Sequence, residues 1–179
     1  MPALDILSDG FDRVREGVRE VAGSLTAAQL EERPAEDANS VAWLLWHTSR
    51  IQDAQMAQIA GTPEVWVAGG WSERFGLALS VADTGYGHAP DQVAAVRGIT
   101  ADQLVGYHEA TADRTREILA GLDEPDLVRV LDASYDPPVT VGVRVLSILA
   151  DDLEHVGQAA FVRGMIEHGA TPGAGSISR

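Results

Sequence analysis

The sequence predicts an all-α protein, a four-helix bundle with a long crossover between its second and third helices. Four long segments carry apolar residues at helical spacing, and start and stop signals bound each of them. The stretch 62–98 between the second and third segments is too long and too rich in glycine for an ordinary helix connection. We expect one bundle domain over 1–168 and a flexible, Gly/Ser/Pro-rich tail over 169–179.

The first two long helices are defined by periodicity and caps. The first carries apolar residues at spacings of three and four until Gly23, and a short helical turn then leads to Pro34. The second begins after Ser40, a good N-cap residue, and ends at Gly61. In the crossover we expect only short helical pieces, one of them within the segment DQVAAVRG.

The third and fourth helices enclose a stretch that contains two consecutive prolines. Thr100 caps the third helix, which ends before Pro125. The following stretch, 127–141, predicts an irregular or short extended arm. The fourth helix runs from about Thr140 to His168 and is apolar over most of its circumference, so we expect it to be buried on more than one side.

The composition excludes several classes of function. The chain has no cysteine and no lysine, so it has no thiolate metal site, no cysteine nucleophile and no lysine Schiff base. Its net charge of −14 argues against nucleic acid and anionic membranes as partners, because both require a basic surface. The N-terminal residues lack a signal-peptide pattern and no apolar run reaches bilayer length, so we expect a cytoplasmic protein.

Three polar residues on otherwise apolar segments form the candidate site. Asp151 and His155 lie at i and i+4 on one face of the fourth helix, where neighbouring side chains can chelate a single ion. His47 lies between Trp43 and Ile51 in the second helix. A carboxylate on an apolar face needs a partner, and a metal would supply one. Two ordinary interpretations stay open: a hydrogen-bonded core histidine, and a surface contact between Asp151 and His155.

Four further residues have both a functional and an ordinary interpretation. His108, on the inward stripe of the third helix, is either a supporting group or proton shuttle beside the metal or a core histidine bonded to a neighbour. Arg50 either binds a substrate carboxylate or pairs with Asp53 within its helix. His88 belongs to a loop, where we expect solvent exposure, and Asp152 is expected at the surface or in support of the ligands.

Two segments, SVAWLLWHTSRIQD and DDLEHVGQAAFVRG, resemble the metal-binding segments of the DinB-like superfamily of four-helix bundles. In that superfamily a histidine on the second helix and a His/Glu-x-x-x-His pair on the last helix bind one divalent metal. The resemblance therefore implies His47, Asp151 and His155 as the ligands in this chain.

The acidic ligand has precedent in the branch similar to mycothiol-dependent maleylpyruvate isomerase, which uses Glu-x-x-x-His. Asp151 in place of glutamate is a departure, because its shorter arm would draw the metal toward the fourth helix or leave water between them. Ser147 and Gln158 stand where some relatives carry further histidines, and neither is a typical ligand.

The resemblance implies a thiol S-transferase or isomerase. A low-molecular-weight thiol such as mycothiol or bacillithiol would coordinate the metal and attack an electrophilic small-molecule substrate. Zinc or nickel is the first expectation for the ion, with iron or manganese as alternatives, and homodimers are common in the superfamily. Two other functions stay open: a non-catalytic metal-binding or stress-associated bundle, and a hydrolase in which the metal activates water.

Overall fold

Four long helices build the fold in the computed structural model, which describes residues 2–169. They are α1 (Ala3–Ala22), α3 (Val41–Ala60), α7 (Ala101–Ala120) and α8 (Val141–Glu167), and the short α2 (Ala27–Glu31) precedes α3. The crossover contains α4 (Val65–Ala68), α5 (Trp71–Phe75) and α6 (Pro90–Ala95). The predicted all-α bundle with its long crossover is confirmed. The expected tail, 169–179, lies outside the described residues except for Gly169.

Side-chain caps fix the starts of three of the long helices, α3, α7 and α8, at the positions that the sequence indicates. The Ser40 hydroxyl accepts a hydrogen bond from the Trp43 amide, which satisfies one of the free donors at the start of α3. Thr100 and Thr140 cap α7 and α8 in the same way. Gly61 ends α3 in the left-handed conformation, with φ of 64°, which favours glycine.

A short hairpin arm joins α7 to α8 and confirms the predicted extended arm. A 3₁₀ turn over Glu124–Val128 leads into β1 (Val130–Asp132), which pairs antiparallel with β2 (Val139–Thr140). Because β2 continues directly into α8, the hairpin places residues between the two strands beside the first turns of that helix.

The core lies between α8, α3, α7 and α1, with α3 and α8 the most extensively packed pair. α8 is also covered by α1, as its apolar circumference predicts, but a third side of it faces solvent. Leu146, Leu153 and Phe161 lie on this side and are 59%, 45% and 70% exposed. Two neighbouring helices cover only two sides of α8 along most of its length. Among the described helices, none combines the length and apolar character needed to cross a lipid bilayer.

Candidate metal centre

The structure brings together the three residues that the sequence singled out. Each of His47, Asp151 and His155 offers one ligand atom, and these atoms all lie within 4.8 Å of one another. α3 supplies His47 and α8 supplies the i, i+4 pair, so the cluster spans the most closely packed helix pair of the bundle. His47 is buried, the His155 side chain is 17% exposed and the Asp151 side chain is 41% exposed. The carboxylate therefore marks the solvent side of the cluster.

A backbone carbonyl fixes the orientation of the His47 imidazole. Its Nδ1 is hydrogen-bonded to the carbonyl oxygen of Thr84 in the crossover. A carbonyl can only accept, so Nδ1 carries the proton and Nε2 keeps its lone pair. The ring also stacks on Trp43, with 4.6 Å between the ring centroids and 14° between the planes. Histidine ligands of metals are usually held by such a bond from the second nitrogen.

His155 is held in the matching way from its own helix. Its Nδ1 lies 3.0 Å from the Gln158 Oε1, and its Nε2 lies 3.6 Å from the Asp151 Oδ1. With Nδ1 donating to the amide oxygen, Nε2 is free to bind an ion. Gln158 thus orients a candidate ligand.

The electrostatics of the cluster favour a neutral His47. Burial is the largest effect and lowers the pKa of His47, and the nearby His155 lowers it further. The bond to the Thr84 carbonyl and the charge of Asp151 act in the opposite direction. The net effect is a pKa below the ordinary value, which keeps the imidazole deprotonated and available as a ligand at neutral pH.

His88 is not a solvent-exposed loop residue, and that expectation is wrong. Its side chain is only 2% exposed. The Trp43 indole donates to its Nδ1 at 3.0 Å, and its Nε2 lies 2.9 Å from the Asp83 Oδ1. Because both ring nitrogens are used, His88 serves to fasten the crossover to α3. A loop position gave no periodicity from which this burial could have been predicted.

Gly85 allows the crossover to approach the cluster. Its φ is 88°, and a Cβ at this position would lie 2.7 Å from the His47 Nδ1 and 3.1 Å from the Trp46 ring. Both the conformation and the close approach therefore require glycine. Sequence reasoning noted a glycine-rich crossover but missed Thr84 and Gly85, because a backbone carbonyl carries no residue-type signal.

Arg50 is a buried anchor for the crossover. Its side chain has no solvent exposure, and its guanidinium pairs with Glu64 at 2.9 Å and lies 3.6 Å from the Asp53 carboxylate. The same group donates hydrogen bonds to the Asp83 carbonyl at 3.1 Å and to the Tyr107 hydroxyl at 3.2 Å. It does not line the cavity beside the candidate ligands. The helical pair with Asp53 is thus present, as part of a larger network that orders residues next to Thr84.

Asp53 completes the network from the same helix. Its carboxylate accepts from the amides of Val65 and Trp66 at 2.8 and 2.7 Å and from the Tyr107 hydroxyl at 2.8 Å. The two amides belong to the first turn of α4, so Asp53 satisfies the free donors of a helix in the crossover.

His108 lies in the core and bonds to a neighbour, the second of its two interpretations. It is 1% exposed and its Nδ1 is 3.1 Å from the Ser49 hydroxyl. Burial lowers the pKa of His108 to about 4.

Asp152, expected at the surface or in support of the ligands, is fully buried and its oxygens have no hydrogen-bond partner among the described residues. Burial, and then the charge of Asp151, raises the pKa of Asp152 well above its ordinary value.

A cavity of about 300 Å³ opens beside the cluster between α3, α8 and the two connecting segments. His47 and Asp151 line one part of it. The other lining residues combine apolar walls with a few polar groups: Ile51, Gln55, Tyr86, Tyr135, Val139, Val143, Arg144, Ser147 and Ile148. A larger groove of about 580 Å³ between α1 and the end of α8 includes none of the three candidate ligands.

The donor set fits a divalent metal ion. Two imidazoles with free Nε2 atoms and one carboxylate are ligands that zinc, nickel, iron and manganese all accept. Three protein ligands also leave coordination positions open on the cavity side for a small molecule. Binding of a metal by these residues stays a prediction, which the convergence of their ligand atoms supports.

Comparisons with known proteins agree with this architecture. The chain matches the model of the DinB superfamily over residues 10–159. A crystal structure described as that of the conserved protein of locus from Enterococcus faecalis is 31% identical, with a TM-score of 0.88, over 94% of this chain and 99% of that chain. No curated protein matches the sequence. The resemblance found in the two sequence segments is confirmed, and this protein is a member of the DinB superfamily.

Proposed function

We propose that this protein binds one divalent metal ion through His47, Asp151 and His155 and uses it in a thiol S-transfer or isomerisation reaction. The observation that carries the proposal is the convergence of three ligand atoms within 4.8 Å beside a cavity of about 300 Å³. Both imidazoles are hydrogen-bonded through Nδ1, and this leaves Nε2 free on each.

The proposed chemistry assigns the nucleophile to a bound small molecule. A divalent ion in this position would lower the pKa of a coordinated thiol or water molecule. The chain has no cysteine of its own, so a sulfur nucleophile has to arrive with a low-molecular-weight thiol such as mycothiol or bacillithiol. The Asp151-x-x-x-His155 spacing, which resembles the Glu-x-x-x-His pair of the mycothiol-dependent maleylpyruvate isomerase branch, supports a thiol over water.

Each residue of the cluster has a distinct role in the proposal. His47 and His155 supply neutral nitrogen ligands from the two helices. Asp151, the most exposed of the three, supplies negative charge on the cavity side, where a ligand enters. The apolar residues that line the cavity would contact the body of a bound electrophile. We propose zinc or nickel as the ion, with iron or manganese as the alternative, since this donor set is compatible with all four.

Metal content is the first test. We expect protein purified without chelators to carry about one divalent ion per chain, as a single three-ligand site requires. His47→Ala and His155→Ala should each remove it, whereas the exposed His168→Ala, a matched loss of one histidine, should retain it. Element-resolved mass spectrometry measures the content. Equal metal in the first two variants and the wild type would refute the proposed ligands.

Thiol dependence is the second test. Metal-loaded protein is incubated with mycothiol, bacillithiol or a simple thiol and a panel of electrophiles, and consumption of both reactants is followed. Turnover that requires both metal and thiol supports the proposal. Turnover without added thiol would indicate hydrolysis, and binding of metal with no turnover over the whole panel would indicate a non-catalytic metal-binding bundle.

A further inference from the structure

We infer that the small-molecule ligand of the candidate metal centre carries a carboxylate, and that Arg144 binds it inside the cavity. This inference rests on the proposed function and adds the chemical class of the ligand. Its basis is a guanidinium that lines the same cavity as two candidate metal ligands, His47 and Asp151, and that has no anionic partner within ion-pair distance in the described part of the chain.

Arg144 shares this with Arg33, Arg74 and Arg97, whereas the other described arginines have acidic partners. Arg50 pairs with Glu64, and Arg163 pairs with Glu167. The contact found for Arg144 is a neutral one, from Nη1 to the Gln55 Oε1 at 3.3 Å. The chain carries a net charge of −14, so acidic side chains outnumber basic ones and most arginines can find an acidic partner. What distinguishes Arg144 from Arg33, Arg74 and Arg97 is its position in the cavity lined by His47 and Asp151.

The surroundings of Arg144 favour a small amphipathic acid. Of the described residues that line this cavity, Arg144 is the sole cation, and its other neighbours there are mostly apolar or aromatic, such as Ile51, Val143 and Tyr135. A partly desolvated guanidinium binds a carboxylate with two parallel hydrogen bonds, and these are stronger than bonds to neutral groups. Apolar walls would accommodate the body of the same molecule.

The position of Arg144 on α8 indicates the length of the ligand. Arg144 and Asp151 are two helical turns apart, or about 10 Å along the axis. A molecule that reaches both the metal position and the guanidinium therefore needs a chain of several bonds between its metal-binding atom and its carboxylate. Either the thiol or the electrophilic substrate could carry that carboxylate, and the two sources are separable by experiment.

The first arm of the test uses a matched pair of thiols. Cobalt-loaded protein is titrated with 6-mercaptohexanoate and with its primary amide, and sulfur-to-cobalt charge-transfer absorbance reports binding without any need for turnover. We expect the wild type to bind the carboxylate about 10- to 100-fold more tightly than the amide, the usual gain from a hydrogen-bonded charge. Arg144→Gln should remove this preference and leave amide binding within about twofold.

The second arm places the carboxylate on a molecule without sulfur. With 2-mercaptoethanol saturating the cobalt, phenylacetate and phenylacetamide are titrated and followed by tryptophan fluorescence. A preference for the carboxylate in the first arm assigns it to the thiol, and a preference in the second arm assigns it to the substrate. No preference in either arm would overturn the inference.

Controls separate the possible failures. Arg114→Gln removes one positive charge from an exposed pair on α7 and should retain the wild-type preference. Asp132 lies in β1, and hydrogen bonds from Ser134 lower its pKa first, with a smaller effect from the charge of Arg144. If Asp132 competes for Arg144, Asp132→Asn should strengthen carboxylate binding, as the inference requires. Failure to bind cobalt defeats the proposed function, whereas binding of cobalt and thiol without carboxylate preference defeats only this inference.

Discussion

The orientation of His47 depends on one backbone carbonyl, and that carbonyl depends on a glycine. The Thr84 carbonyl oxygen accepts a hydrogen bond from the His47 Nδ1, and Gly85, with a φ of 88°, follows it and lies against the imidazole. Groups that hold a metal-binding histidine commonly matter nearly as much as the ligand itself. At the scale of single residues, the candidate centre therefore extends beyond its three ligands into the crossover.

Two glycines of the same loop provide a matched test of this dependence. Gly85→Ala should lower metal affinity about 10- to 100-fold, the usual effect of losing an outer hydrogen bond to a ligand, because its Cβ would displace the Thr84 carbonyl from His47. Gly87 also has a positive φ, of 71°, but nothing lies within 4 Å of its Cβ position. Gly87→Ala should keep the wild-type affinity. Calorimetric titration with zinc measures both, and equal losses would contradict the role of the close approach.

His108 makes the stability of the protein sensitive to acid. Its pKa is about 4 in the fold, because of burial, against 6.5 in the unfolded chain. Between these values the unfolded state binds the proton and the folded state does not, so stability falls as pH falls from 6.5 to 4. The loss from this one group should be about 3 kcal/mol.

His108→Gln should weaken that pH dependence, since glutamine does not titrate. Urea unfolding at several pH values measures the free energy of unfolding. The pH range runs from about 7, above the ordinary histidine pKa, down to about 4. The exposed His168→Gln is the matched control and should behave like the wild type. If the two variants and the wild type show the same pH profile, burial of a neutral His108 is not the cause of the acid sensitivity.

At the scale of secondary-structure elements, side-chain contacts from α3 hold the crossover against that helix. Arg50 and Asp53, one turn apart on α3, bind its backbone at Asp83, Val65 and Trp66. The bond from Arg50 to the Asp83 carbonyl fixes the position of Asp83, and of the neighbouring Thr84, along α3. A long connection of this kind would otherwise be free to move away from the cluster.

Replacement of Arg50 should release the crossover from α3. Arg50→Met should destabilise the protein by about 3–5 kcal/mol, because it leaves the buried Asp53 carboxylate without its counter-charge and removes the pair with the half-buried Glu64. Metal affinity should fall as well, since the Asp83 contact is lost. Arg114→Met breaks an exposed pair with Glu117 and should change stability by about 0.5 kcal/mol or less. Denaturant unfolding compares the two, and a similar small effect in both would contradict the anchoring role.

At the scale of the whole molecule, the candidate centre joins α3 to α8, the most extensively packed pair of helices. A metal bound by both helices stabilises the folded state alone, since in the unfolded chain His47 is about a hundred residues from Asp151 and His155. At a free metal concentration about 100 times the dissociation constant, the gain should be about 2.7 kcal/mol.

The corresponding rise in the melting temperature should be about 5–10 °C for a chain of this size. Thermal melts followed by circular dichroism, with added zinc and then with a chelator, measure it. His155→Ala should show no rise, and His168→Ala should show the full rise. A rise of equal size in His155→Ala would mean that zinc stabilises the protein at some other place.

The long helices could be predicted because their signals are local. Ser40, Thr100 and Thr140 cap helices where the sequence indicates, and Gly61 ends α3 as expected. Pairing of Asp151 with His155 needed only the helical repeat. The exposure of Leu146 and Phe161 could not be predicted in the same way, because the apolar character of α8 does not indicate how many neighbours it has.

The sequence by itself thus determined the helices, the i, i+4 pair on α8 and, through two family-like segments, the link from that pair to His47. Tertiary structure alone decided that Thr84 orients His47, that Arg50 holds the crossover against α3 and that Arg144 lines the cavity without an acidic partner among the described residues. The physical reason is the distance along the sequence over which each effect acts. Helix periodicity and capping act over a few neighbouring residues, whereas burial, ion pairing and contacts to a backbone carbonyl depend on segments that meet only when the chain has folded.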